Sequence, residues 1–312
     1  MNSVNKVSII IPGLNEENNI AECLSSLLRL DYPKKEMEII VVDNGSSDRT
    51  LIIAQEYNVE VLQHREKSVA GLRNLGAKHA TGAILAFIDA DCYVAEDWLK
   101  KAQKYFDDNQ VVAWGAPPVP PAESTWVQKT WYLVRQKARG RQKVEWLESM
   151  NFFIRKKDFW RAGGFNEKLQ TCEDVDLSYR LLKQGNIVSD KSIVVTHAGE
   201  ASTVFKFMKK EIWRGQSNLK GFFSHGFSVK ELRSLLIPLY FGLLIPLFVV
   251  TFFLLGQILW LILFGALMLF PTIAVLVKVR HKSECNWFDL LRLSLLLQAY
   301  FFSRTVAVFR IT

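Results

Sequence analysis

With 312 residues, 49% of them hydrophobic and 22% charged, the chain has room for about two domains with real cores. Its composition excludes a disordered tail, a collagen-like repeat and a small disulfide scaffold. The formal charge of +8, from 39 Lys plus Arg against 31 Asp plus Glu, comes without a long basic tract; it argues for an anionic membrane surface rather than for nucleic acid.

The β-branched run 7–11 stops at Pro12-Gly13, a strand meeting a turn. It is too short for a secretory signal, so the N-terminal domain is expected in the cytosol. Asn15 is placed to cap a helix whose apolar face is Ile20, Leu24, Leu27 and Leu28. Residues 38–42 repeat the strand pattern and end at Asp43; a helix to about Tyr57 and a strand over 59–63 follow. Residues 69–79 read as a helix closed by Thr81-Gly82, and 83–88 as an apolar strand ending at Asp89. Nearly all-apolar strands alternating with helices predict a mostly parallel sheet covered on both faces. Ligands bind such sheets at the carboxyl ends of the strands, where Asn15, Glu16, Asp43, Asp89 and Asp91 all fall.

Beyond about residue 111 the pattern is less regular. A stiff connector, 116–121, leads into a basic, Trp-rich stretch over 126–146 that includes Arg135, Arg139 and Arg141; such residues suit a surface at the lipid headgroups beside an acceptor. From 235 to 277 no residue is charged. A hydrocarbon core of about 30 Å takes about 20 helical residues, which 235–255 and 258–277 each supply. Lys220, Lys230 and Arg233 before them and Lys278, Arg280 and Lys282 after them place both ends of the hairpin in the cytoplasm. Residues 287–309 mix a leucine run with Asp289, Arg292 and Arg304 and read as an interfacial helix, with a third span as the alternative. The expected division is an α/β domain over 1–230 and a membrane region over 231–312. The four cysteines, Cys23, Cys92, Cys172 and Cys285, have neither CxxC nor metal-ligand spacing and read as reduced thiols.

Two acidic motifs carry chemistry. Asp89-Ala90-Asp91 follows an apolar strand, and carboxylates two apart at a strand end can address one Mg2+ or Mn2+; a solvated turn is the alternative. Glu173-Asp174-Val175-Asp176 precedes Leu177 and Leu181 at the start of a helix, where the dipole favours carboxylates. Three carboxylates in four positions exceed what a cap requires, and their repulsion raises at least one pKa, which suits a general base.

In the order VSIIIPGLNEENNI, EIIVVDNGSSDRT, GLRNLGAKHATGAILAFIDAD and GGFNEKLQTCEDVDLSYRL, over about residues 6–215, the chain resembles family 2 glycosyltransferases. The resemblance implies a GT-A fold, an α/β nucleotide-binding domain that here precedes a transmembrane helical hairpin. It further implies a hexosyltransferase that moves a sugar from a nucleotide sugar, by family tendency a UDP-sugar, to an acceptor hydroxyl with inversion, using Mg2+ or Mn2+. By resemblance Pro12, Asn15 and Glu16 border the nucleoside, Asp43 contacts the base, and Arg73 supports the base or phosphates. Asp89 and Asp91 match the metal and diphosphate motif, with Asp91 the direct ligand. Asp174, beside Glu173, matches the catalytic base. His197 falls where relatives place a metal or phosphate ligand; read from the residue alone it is equally an ordinary surface or core histidine.

The polymerising members carry QxxRW, whereas this chain has Trp213-Arg214 with no matching glutamine; addition of a single sugar is expected. The expected site of action is the cytoplasmic face of the cell membrane, on a lipid-linked or glycolipid acceptor, with no nucleic acid involved. A nucleotidyltransferase or an inactive nucleotide-sugar-binding scaffold stays open as an alternative. A dinucleotide enzyme would need GxGxxG after the first strand, which is absent. Sugar, linkage and oligomeric state are not legible.

Overall fold

The structure, a computed structural model, describes residues 6–65, 67–135, 140–215, 232–254, 257–280 and 286–309. The chain forms two compact units, Met1–Pro121 with Lys137–Gly199, and Ala122–Gln136 with Glu200–Thr312. The basic, Trp-rich stretch is divided between the units: its helix belongs to the second and its strand to the first. Arg139 lies outside the described residues.

In the first unit β1 (Val7–Gly13), β2 (Met37–Asp43), β3 (Glu60–Gln63) and β4 (Ile84–Phe87) pair in parallel in the order β3-β2-β1-β4. Beyond a short β5 (Cys92–Val94), the sheet continues through β6 (Val111–Gly115), β7 (Arg141–Val144), β8 (Phe152–Arg155) and β9 (Asn186–Asp190), ordered β4-β8-β6-β9-β7. Of these, β8 and β7 run antiparallel to their neighbours, and β6 with β9 is parallel. β10 (Val195–His197) pairs with β5, His197 opposite Cys92.

The centre of the sheet is buried on both faces, whereas the edge strands β3 and β7 are partly exposed. Every residue of β1 is buried, and its side chains alternate between two cores. Ile9 and Ile11 join Leu24 and Leu27 of α1 (Ile20–Leu28) on one face. Ile10 joins Ala70 and Ala77 of α3 (Val69–His79) on the other. α2 (Thr50–Gln55) packs on the α1 face, with Ala54 in the same core as Leu24 and Leu27. A Cβ on Gly76 would stand 2.5 Å from Ile10 Cγ2, so α3 lies directly on β1 and its first turn reaches the carboxyl edge of the strands. α4 (Trp98–Gln103) is anchored by Trp98, whose ring centre lies 4.6 Å from that of Phe153 with the planes tilted, and which donates from Nε1 to Asn151 Oδ1 at 3.0 Å.

Asn15 does not cap α1, which starts at Ile20 after Asn19 with no side-chain cap. Asn15 sits in the left-handed region at φ +57°, and its amide oxygen is taken by the backbone N–H of Ser47 at 2.9 Å. Leu28, expected on the apolar face, is exposed.

The second unit holds α5 (Trp126–Arg135), α8 (Val204–Gly215), α9 (Leu232–Leu254), α10 (Gln257–Arg280) and α11 (Trp287–Phe309); α6 (Lys156–Arg161) and α7 (Glu173–Leu182) belong to the first. α11, the helix expected at an interface, packs against the other helices of the unit. Leu296 packs with Trp131 of α5 and Phe207 of α8, while Leu293, Leu297 and Phe301 pack with Phe241 of α9 and Val279 of α10. Among the described residues no helix is long and apolar enough to cross a membrane, so the two expected spans are not supported. Part of the uncharged run works inside the unit: Phe241, Leu244, Trp260 and Thr272 are buried. A hydropathy window cannot separate such contacts from lipid-facing ones. The rest stays outside, with Leu243 71%, Phe253 80% and Ile258 77% exposed.

Candidate functional site

The carboxyl edge of the parallel strands is organised by loops that hold one another. Asp43, 2% exposed at the end of β2, accepts from the backbone N–H groups of Gly45 and Ser46 at 2.9 and 3.1 Å and from Ser46 Oγ at 2.5 Å. Its oxygens close the turn after β2. That turn meets the loop after β1, where the Asn15 N–H donates to Ser46 Oγ at 2.9 Å. Pro12 lies beyond the last β1–β4 pair, Ile10 with Phe87, and stands opposite Val42 of β2.

Glu16 follows in the same loop, its backbone N–H donating to Thr50 Oγ1 at 2.6 Å and its carboxylate accepting from Asn19 at 2.8 Å. Its pKa is raised, first by burial, against the Asn19 hydrogen bond, and further by repulsion from Asp91, Asp89 and Asp48. The loops after β1 and β4 thus bring Glu16, Asp89 and Asp91 into one negative field.

The two aspartates of the motif after β4 do different work. Asp89 Oδ1 accepts from Arg73 Nη2 at 2.6 Å. Asp91 Oδ2 lies 3.0 Å from His197 Nε2. The room for this pair depends on Gly199, where a Cβ would stand 1.7 Å from Asp91 Oδ2. Asp91, Cys92 and His197 present ligand atoms within 4.8 Å of one another. Burial pushes the Cys92 thiol well up, aided by Asp91 and Asp89, which leaves carboxylate oxygen and imidazole nitrogen as donors. That donor set, amid further carboxylates, fits a hard divalent cation such as Mg2+ or Mn2+.

Arg73 ties the two motifs together. Buried on α3, it donates from Nη1 to Glu173 Oε1 at 2.7 Å while holding Asp89 through Nη2, and it lies 5.6 Å from the Phe165 ring centre. Its pKa is raised, despite burial, by Asp89 and Glu173. Glu173, also buried, is therefore engaged in an ion pair, and the carboxylate left for proton transfer is Asp174.

Cys172 enters α7 in the left-handed region at φ +66°, costly for a residue with a side chain, and Glu173 and Asp174 occupy the first turn. Asp174 accepts from the backbone N–H of Val175 at 2.8 Å and of Ser149 at 3.4 Å. Its pKa is pushed up to about 7, first by desolvation, then by Glu173 and Glu148; Arg73 and the Val175 N–H pull the other way. Asp174 keeps some accessible surface.

The structure thus gathers Glu16, Arg73, Asp89, Asp91, Glu173 and His197 through direct bonds and mutual fields, with Asp174 joined to them through Glu173 and Arg73. Asn15, Pro12 and Asp43 shape the adjoining loops. Glu148 and Gly199 were not read from the sequence. Glu148 carries no signal beyond an acid set among Trp146, Leu147 and Met150, and Gly199 none beyond lying two residues past His197.

Residues 8–163 match the sequence profile of glycosyl transferase family 2. Over 101 residues the chain is 42% identical to glycosyltransferase AglE of Haloferax volcanii, covering 30% of this chain and 33% of that protein. It is 23% identical over 256 residues to the dolichyl N-acetyl-alpha-D-glucosaminyl phosphate 3-beta-D-2,3-diacetamido-2,3-dideoxy-beta-D-glucuronosyltransferase of Methanococcus voltae, 71% of this chain and 76% of that one. Among solved structures, mannosyltransferase PcManGT from Pyrobaculum calidifontis, in complex with GDP-Man and Mn2+, superposes with a TM-score of 0.64 at 19% identity, over 97% of this chain and 86% of that one. S. aureus TarS 1–349 in complex with UDP-GlcNAc gives 0.51 at 23% identity, over 69% and 66%. At these identities the structural likeness is one of fold. The chain spans a third or less of the length of the first curated relatives it matches.

Proposed function

The chain belongs to glycosyl transferase family 2, and from that premise we propose that it transfers a single sugar from a nucleotide-sugar donor to an acceptor hydroxyl, with Asp174 as the base. The observation that carries this reading is the raised pKa of Asp174, about 7, on a helix tied through Glu173 and Arg73 to Asp89. A base is most effective when its pKa lies near the working pH. GDP-Man and UDP-GlcNAc in the two solved relatives support a nucleotide-sugar donor.

Each residue then has a task. Pro12, Asn15, Glu16 and Asp43 form the loops that border the nucleoside. Asp91 and His197, with Asp89 nearby, would hold a Mg2+ or Mn2+. When bound, such a cation offsets the charge that develops on a leaving nucleoside diphosphate. Asp174 takes the proton from the acceptor hydroxyl as its oxygen forms the new bond at the anomeric carbon. The bond to the diphosphate oxygen breaks on the opposite face, and its electron pair leaves with the diphosphate. One displacement of this kind inverts the anomeric centre.

The acceptor is read as lipid-linked or a glycolipid, and the site of action as the cytoplasmic face of the membrane. The exposed Leu243, Phe253 and Ile258 support this, since an apolar surface of this kind marks a contact with lipid or a partner. The missing QxxRW favours one addition over polymerisation.

The test is turnover of a nucleotide-sugar panel with Mg2+ or Mn2+ against a membrane lipid extract, followed by mass analysis of the product. Asp174→Asn is expected to keep donor binding and lose about 10²- to 10⁴-fold in rate. Equal turnover in both proteins would remove Asp174 from the chemistry.

A further inference from the structure

The antiparallel pairing of β5 with β10 sets Cys92 directly opposite His197. Residues so paired carry their side chains on one face of the ladder, with Cβ atoms about 4.5–5.5 Å apart. Asp91 joins them from the turn before β5, where its backbone carbonyl accepts from the Ala198 N–H at 2.9 Å. Its carboxylate serves both neighbours: Oδ2 lies 3.0 Å from His197 Nε2, and Oδ1 accepts from the Cys92 thiol at 3.6 Å. One carboxylate oxygen, one imidazole nitrogen and one sulfur thus lie within 4.8 Å of one another. Strand pairing fixes the backbone beneath them, so the set needs little rearrangement to close on one ion.

A buried cysteine ordinarily behaves as a small apolar group. Cys23, in the same core as Cys92, fits that description, its sulfur facing the Asp89 backbone carbonyl at 3.8 Å. Cys92 differs in that its sulfur faces a carboxylate which in turn faces an imidazole. Access comes from the carboxylate side. Cys92 and His197 are 1% and 3% exposed, whereas the Asp91 side chain keeps 18% of its surface.

Hard Mg2+ or Mn2+ ions take the oxygen and the nitrogen and leave the thiol protonated. Zn2+ and Co2+ accept sulfur, nitrogen and oxygen together, and they hold the sulfur as thiolate. The Cys92 S–H bond then breaks as the sulfur–metal bond forms, and the proton passes to solvent. Three protein ligands of these types leave a tetrahedral Zn2+ one open position.

We propose that Asp91, Cys92 and His197 form a site for a thiophilic divalent cation such as Zn2+, with Cys92 as the ligand that sets its preference over Mg2+ and Mn2+. Occupation by Zn2+ excludes the cation of the transfer reaction, since both need Asp91 and His197. That competition rests on the cation reading of the proposed function, whereas the binding itself needs no turnover.

Nitrogen and oxygen ligands alone already rank Zn2+ above Mn2+, so the discriminating readout is the bond to sulfur. In the experiment the reduced, chelator-treated full chain is titrated in detergent with Co2+, whose bond to a thiolate gives a charge-transfer absorption, and then with Zn2+ as competitor. Cys92→Ala and Cys92→Ser are the variants, and Cys23→Ala is the control for a neighbouring buried thiol. Wild type and Cys23→Ala are expected to show the band and to lose it as Zn2+ displaces Co2+. Even an outer-shell partner is worth about 10- to 100-fold in metal affinity, so each Cys92 variant, lacking a direct ligand, is expected to bind Zn2+ about 100-fold more weakly. Neither variant should show the band, and both should bind Mn2+ as wild type does.

Wild type without the band would overturn the proposal, as would a band retained in Cys92→Ala or lost in Cys23→Ala. Equal losses of Mn2+ and Zn2+ binding in both Cys92 variants would make Cys92 a purely structural residue and overturn it too. Sugar transfer, followed on the same preparations, separates this inference from the reading it builds on. A band in wild type beside no transfer would contradict the proposed function and leave the site standing; transfer with Mg2+ or Mn2+ beside no band would overturn this inference alone.

Discussion

Asp174 is the residue on which most depends, and its neighbours make opposite predictions. Glu148 raises its pKa and Arg73 lowers it. Glu148→Gln should therefore move the acid limb of kcat/KM to lower pH, and Arg73→Gln should move it to higher pH; a shift of the same sign in both would contradict the electrostatic account. Arg73→Gln also leaves Asp89 and Glu173 without their ion pair, a loss of about 3–5 kcal/mol for a buried network, so its profile is to be read at low temperature. Stability carries the same signature. The folded pKa of Asp174 lies above its unfolded value, so the stability it contributes is fully present below the ordinary carboxylate range and is lost as pH rises through about 7. Asp174→Asn escapes that loss, and its Tm should exceed that of wild type by a few degrees above pH 7, with the gap closing on acidification. A gap independent of pH would mean that Asp174 is not desolvated. Little of this was legible in the sequence. Mutual repulsion within Glu173-Asp174-Val175-Asp176 was, and Glu173 does raise Asp174. The ion pair of Arg73 with Glu173 joins residues 100 positions apart, and no local pattern announces it.

At the scale of elements, strands and helices of the parallel half follow from periodicity and punctuation. The run 69–79 is a helix over those residues, and the strands at β1, β2 and β4 depart from expectation by one or two positions. What periodicity misses is which residues a loop claims. Asn15 has the chemistry of a cap but is claimed by Ser47 across the loop, a tertiary preference that overrides a local one. His197 could not be placed by its own surroundings either; the pairing of β10 with β5 carries it to Asp91. Two glycines test these placements. Gly199→Ala should displace Asp91 and abolish turnover with the fold retained, read by activity beside circular dichroism; full activity would mean that the pair is dispensable. Gly76→Ala should force α3 off β1, costing about 1–3 kcal/mol by denaturant unfolding, and an unchanged midpoint would deny the close contact with Ile10.

For the whole molecule, the uncharged tail was legible as helical and apolar but not in how its surface is divided. Phe241 and Trp260 are buried within the second unit, while Phe253 and Ile258 are not. If that outer surface meets lipid, the protein should leave membranes with detergent and resist extraction by high salt; release by salt alone would contradict the apolar attachment. The central claim, however, is that one carboxylate, tuned by its surroundings, accepts the acceptor proton. It is tested most directly by the pH dependence of kcat/KM for sugar transfer. The account predicts a rise through an acid limb near pH 7 in wild type and loss of transfer in Asp174→Asn with donor binding kept. A rate that is level from about pH 5 to 8, or an Asp174→Asn protein that transfers sugar as well as wild type, would contradict it.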